Sequence, residues 1–152
     1  LPIHDNEDMG EQKMNDPRQI KQWEQEMMKT HGWYVHYISG KNGYANIHTH
    51  GLRETFNHPD LQIVMLLKPK IAQGIFTAMI DEIQMGYQFQ EGKLYDQVLV
   101  GYPVMVKAYE EMGRIVLRVL LPDGNGYLPG HPKCDPIFQG QLRRFPYEMG
   151  RN

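Results

Sequence analysis

His48-Thr49-His50 is the stretch whose residue types and spacing could do chemistry. Two histidines separated by one residue on a β-strand share a face, with Cα atoms roughly 6.5–7 Å apart after two steps of strand rise. From there two ring nitrogens can converge on one ion, at about 2.0–2.1 Å each if it is zinc. Glu54 follows four residues after His50, giving His-x-His-x-x-x-Glu, and His36 stands in the preceding alternating stretch. Either could supply a third ligand, with water as the fourth. The ion would be a divalent transition metal (Zn, Fe, Mn or Ni) and the chemistry that of a metal-dependent hydrolase or oxygenase. The competing reading makes His48 and His50 surface histidines on a polar sheet face and requires no cofactor.

The elements that must position these residues follow from parity. Trp33 to Ile38 and Tyr44 to Leu52 alternate as half-buried strands, and Ser39-Gly40-Lys41-Asn42-Gly43 between them tolerates positive φ, so a β-hairpin is expected. With Lys41 near the apex, Ile38 faces Tyr44, His36 faces Asn46 and Tyr34 faces His48. Trp33, Val35, Tyr37, Ala45, Ile47 and Thr49 then form the core side. Tyr34, His36, Asn46, His48 and His50 form the other side. A one-residue slip would separate His36 from the other two. Tyr34 on this face and His58 are the candidate contacts for a small ligand. His58, within Asn57-His58-Pro59-Asp60, has a second reading as a structural cap of the loop, which its turn chemistry favours.

Before the hairpin, Asp16-Pro17 starts a helix that Gly32 stops. Ile20, Trp23, Met27 and Met28 make its apolar stripe, with Trp23 an anchor onto the sheet. After the hairpin, residues 53–60 read as a loop and Leu61 to Leu67 as a strand buried on both faces. Pro69 to about Met85 is a helix with a broad apolar face, closed by Gly86. Val98 to Val100 and Val104 to Val106 read as strand halves broken by Gly101-Tyr102-Pro103. Met112-Gly113 is a turn, and Arg114 to Leu121 another strand. Past Pro122 the chain is rich in glycine and proline (Pro129, Pro132, Pro136) and is expected to wrap the domain as an extended tail. The expectation is an α+β fold with a mostly antiparallel sheet, two packed helices and that tail. It divides into a polar arm over 1–15, one domain over 16–122 and the tail over 123–152.

Composition narrows the function classes. A chain of 152 residues, 41% hydrophobic and 22% charged, suits one soluble globular domain. A formal charge of −2 argues against nucleic acid, which requires a clustered basic surface. No apolar run approaches the roughly 20 residues of a membrane span. The single cysteine, Cys134, and a start without a basic, apolar leader point to the cytoplasm. No nucleophile elbow, phosphate-binding glycine loop or Cys-x-x-Cys is present.

His48-Thr49-His50-Gly51-Leu52, Asn57-His58-Pro59-Asp60-Leu61, the helix to Gly86, Phe89 to Gly92 and Pro122-Asp123-Gly124 occur in the order and spacing of a known family. Over His48 to Leu142 the chain resembles a bacterial domain-of-unknown-function family, number 4262. The resemblance implies a small bacterial cytoplasmic protein and no reaction. His48 and His50 stand where the family usually has tyrosine and valine, so a metal there would belong to this protein or a subgroup, whereas His58 matches. Metal-binding cupins also carry a His-x-His-x-x-x-Glu run, and Pro129-Gly130-His131 superficially extends that likeness, but the helix from Pro69 interrupts a cupin's strand barrel. The function expected first is binding of a protein or small ligand, with a homodimer through a free sheet edge compatible with it. The metal-dependent enzyme is the alternative.

Overall fold

The computed structural model describes residues 16–40 and 43–145, together with the main chain of residues 3–5. The rest of the expected arm over 1–15 lies outside the described residues. Seven strands form one sheet: β1 (Ile3–Asp5), β2 (Tyr34–Ser39), β3 (Ala45–His50), β4 (Asp60–Val64), β5 (Leu94–Tyr95), β6 (Val104–Glu111) and β7 (Arg114–Leu120). Their spatial order is β1-β2-β3-β4-β7-β6-β5. β1 with β2 and β4 with β7 pair in parallel, and the other neighbours are antiparallel. The fold is α+β on a mostly antiparallel sheet.

Helix α1 (Pro17–Thr30) is capped by the Asp16 side chain, which accepts from the Arg18 N–H. Helix α3 (Pro69–Gln84) buries Ala72, Ile75, Phe76, Met79, Ile80 and Ile83 against Val35, Tyr37, Ala45 and Ile47, the core side of the hairpin. α1 takes the opposite side of the sheet. None of its residues is fully buried, and its half-buried ones are Ile20, Trp23, Glu24, Met27 and Met28. Trp23 meets Tyr34 edge-on with ring centroids 5.6 Å apart, the expected anchor, and it lands on the histidine face. That face is therefore roofed by a helix rather than open.

The hairpin register differs from the expected one. The observed pairs are Tyr34↔His50, His36↔His48 and Ile38↔Asn46, two residues away from the pairs predicted with Lys41 at the apex. The loop closes by the Gly40 N–H donating to the Tyr44 carbonyl at 2.6 Å, which lets the ladder begin at Ser39↔Ala45. Because the shift is an even number, every side chain keeps its face, and His36 comes directly opposite His48.

Residues 53–60 are not all loop. Gly51 (φ +104) turns β3 into a short helix α2 (Leu52–Phe56), which Asn57 ends in a left-handed conformation. A Cβ on Gly51 would lie 2.6 Å from both the Gly32 carbonyl oxygen and Met28 Sδ, so the close approach of α1's end requires glycine here. β4 is buried along its whole length as expected, but it stops at Val64 before the turn into α3. Val98 to Val100 form no strand: Val98 and Leu99 pack against the core while Val100 is exposed, and β6 starts only after Pro103. Met112 (φ +54) and Gly113 (φ +78) make the tight turn between β6 and β7. The segment after Pro122 is more ordered than an extended tail, since helix α4 (Pro136–Gln139) and a 3₁₀ turn (Gly140–Leu142) place Gln141 fully inside.

One line of polar residues crosses the sheet laterally. His4, His36, His48, Gln62, Arg118 and Lys107 are successive register partners from β1 to β6.

Candidate metal centre

The register puts His36 beside His48 and Tyr34 beside His50, and parity sends all four to the side roofed by α1. The ring centroids of His36 and His50 are 4.6 Å apart, those of His48 and His50 4.9 Å, and those of His36 and His48 5.6 Å. One nitrogen from each of the three lies within 4.8 Å of the others. Tetrahedral zinc with bonds of about 2.05 Å needs nitrogens about 3.3 Å apart, closer than the 4.8 Å within which these lie, so the rings would have to draw together to hold one. Tyr34 stacks on His50 at 5.2 Å and 22°, which fixes that ring's plane.

The outer nitrogens are held in the manner of a metal site. Glu24 of α1 accepts a 2.8 Å hydrogen bond from His36 Nε2. A carboxylate can only accept, so His36 carries a proton on Nε2, which leaves Nδ1 as the nitrogen that could face an ion. For His48 the tautomer follows from a chain of donors. Arg118 can only donate, and its Nε gives 2.8 Å to Gln62 Oε1. The Gln62 amide therefore presents its NH₂ to Asn46 Oδ1 at 3.1 Å and to Glu111 Oε1 at 2.7 Å. Asn46 Oδ1 must then accept from His48 Nδ1, also at 3.1 Å, leaving the His48 lone pair on Nε2. His50 Nε2 is buried with no hydrogen-bond partner among the described residues. Outer partners of this kind orient metal-ligating imidazoles and raise their basicity.

Burial, then the neighbouring histidines and the Arg114 guanidinium, hold His48 well below the usual histidine range. The same causes, burial first, put His50 down at about 3. Both rings are thus neutral at physiological pH, the form that binds metal. Burial, with Glu24 and Asp60 nearby, pushes the Tyr34 phenol up to about 12, so it remains a neutral wall.

Asp60 ties the far end of the hairpin together. Its carboxylate accepts from the Thr49 hydroxyl at 2.7 Å, from the Leu52 N–H at 3.1 Å and from Arg114. Thr49 in turn accepts from the Leu61 N–H at 2.9 Å, so the strand carrying His48 and His50 is fixed on both sides. Beyond His50 opens a cleft of about 740 Å³ bounded by Tyr34, Met28, Arg53, Glu54 and Arg114.

Of the residues singled out by sequence, the fold brings His36, His48 and His50 together with Tyr34 beside them. Glu54 is exposed on α2 at the cleft's rim and does not belong to the three-histidine group. His58 lies elsewhere. It is fully buried, its Nδ1 donates to the Pro59 carbonyl at 2.8 Å, and its Nε2 accepts from the Phe89 N–H at 3.1 Å. With both nitrogens spent on main chain it ties two loops together, which corrects its candidacy as a ligand contact. The Cys134 thiol is buried and pushed up by that burial and by Asp123 and Asp135, which suits no nucleophile. Sequence reasoning placed Asn46 on the histidine face without giving it a role, and missed Glu24, Gln62 and Arg118 as participants. A signal existed for the last two, each a polar residue inside an apolar run (LQIVMLL and RIVLRVLL).

An α+β domain with three histidines gathered under an amphipathic helix is the class that fold and site define. The chain belongs to the family described as Domain of unknown function (DUF4262), whose sequence model matches residues 27–135, including all three histidines. No curated protein and no solved structure matches the chain. No helix among the described residues is long and apolar enough to cross a membrane.

Proposed function

We propose that the protein binds one divalent transition-metal ion through His36, His48 and His50 and uses it as a Lewis acid toward a small molecule in the adjoining cleft. The observation carrying this reading is the set of three imidazole nitrogens within 4.8 Å of one another, two of the rings already oriented by Glu24 and Asn46. Three imidazoles suit zinc, iron or nickel better than manganese, which prefers oxygen ligands. Of the two enzyme types considered, a hydrolase fits better. Three histidines with an open fourth position are the donor set that brings a zinc-bound water to a pKa of about 7. A mononuclear oxygenase site takes two histidines and one carboxylate, and Glu54 stands outside the cluster.

Calorimetric titration of zinc into the full chain tests this reading. One equivalent should bind with micromolar or tighter affinity, and binding should vanish in His48→Ala/His50→Ala while the far-ultraviolet dichroism is unchanged. Equal zinc uptake by the variant, or none by the parent protein, contradicts the reading and favours the three rings as a packing cluster with Tyr34.

A further inference from the structure

We infer that the cleft beside His50 takes a small organic acid, with its carboxylate toward the three-histidine centre and its apolar body along the opposite wall; the inference rests on the metal reading above. His50 is the shared residue, lining the cleft and belonging to the cluster, whereas His36 and His48 do not line it. Three neutral imidazoles leave the two charges of a divalent ion uncompensated, and an anionic fourth ligand balances them. The cleft carries two charged residues of each sign. Its two cations are Arg53 and Arg114, and its acids are Asp60 and Glu54. Asp60 and Arg114 are spent on each other, Asp60 also accepting from Thr49 and Leu52 and Arg114 donating to the Thr49 carbonyl, while Arg53 and Glu54 are both exposed on α2. Arg53 is exposed at the rim, where it can pair with an incoming anion.

The remaining wall separates an organic acid from a bare oxyanion. Met28, Met112 and Ile115 line it, the last two largely exposed. A volume of about 740 Å³ lies within the range of about 300–1,000 Å³ usual for small-molecule sites, which pair an apolar lining with a few polar groups. An aromatic or branched aliphatic carboxylate fills both halves. Inorganic phosphate fills only one.

The test uses the cobalt-loaded full chain, whose visible spectrum reports the ligands on the ion. Benzoate should change the spectrum saturably. Benzamide, its neutral counterpart, should leave it unchanged, and inorganic phosphate should act only at higher concentration. Arg53→Met should weaken benzoate about five-fold, the size of a partly exposed charge pair, with cobalt affinity unaltered. Equal effects of benzoate and benzamide, phosphate binding tighter than benzoate, or a cobalt spectrum indifferent to all three would overturn the inference while leaving the metal site standing. Failure of the chain to retain cobalt at all would remove both.

Discussion

At the scale of single residues, the centre depends on proton placement more than on the histidines alone. Each imidazole must offer its lone pair inward, and the groups behind it decide that. Glu24 does so for His36, and Arg118, through Gln62 and Asn46, does so for His48. Glu24→Gln should therefore lower zinc affinity about ten-fold by weakening the acceptor behind His36. Glu26→Gln, at an exposed position of the same helix, should not, and paired zinc titrations compare the two. The depressed values at His48 and His50 give a second expectation. A histidine whose folded pKa lies below its unfolded value near 6.5 leaves the unfolded chain binding more protons. Stability thus falls as pH drops from about 6.5 toward the folded value, about 3 at His50. Metal-free protein should show a lower urea midpoint at pH 5 than at pH 7.5. His48→Ala/His50→Ala should lose much of that difference.

At the scale of elements, two attachments to the hairpin are unequal in strength. α3 is bound by a continuous apolar face, whereas α1 reaches the sheet through Trp23, Met28 and the Glu24–His36 pair. The C-terminal segment is fastened differently, by a buried polar knot. Arg118 is fully buried, stacks on Tyr109 at 3.6 Å, and donates to Glu111 at 2.8 Å and to the carbonyls of Gln141 and Arg143. Gln141 accepts from the Leu121 N–H and donates to the carbonyls of Leu121 and Phe138. Arg118→Leu would strand Glu111, Gln62 and two carbonyls away from water, at a cost of about 3–5 kcal/mol read from urea unfolding. It should also reduce zinc affinity, because Gln62 loses the donor that orients it.

Much of this arrangement was legible in the chain, and the reasons for the rest are physical. Alternation placed Tyr34, His36, His48 and His50 on one face, and since side-chain parity survives an even shift, the wrong apex at Lys41 did not disturb it. The register itself depended on the Gly40–Tyr44 loop closure, which composition does not encode. The stripe of α1 predicted an amphipathic helix against the sheet, but periodicity cannot say which sheet face it covers, so nothing in the pattern singled out Glu24. Val98 to Val100 have strand-like residues yet form no strand, Val98 and Leu99 packing on the core and Val100 facing out, a tertiary choice that overrides local preference. His58 was ambiguous because turn capping and ligand contact use the same residue types. Only the loop around Phe89, thirty-one residues away, decides between them.

For the whole molecule, the sheet has two purposes on its two faces. One is a dry core with α3. The other carries the lateral polar row through His36, His48, Gln62 and Arg118, with the three histidines and the cleft at the α1 end. Everything proposed for this face requires that these histidines hold a metal ion in the working protein. Elemental analysis by mass spectrometry of untagged full chain, purified without added metal or chelator, tests it most directly. Close to one equivalent of zinc, iron or nickel per chain is expected, lost in His48→Ala/His50→Ala. Metal-free protein that also fails to take up any of these ions when they are supplied would contradict it.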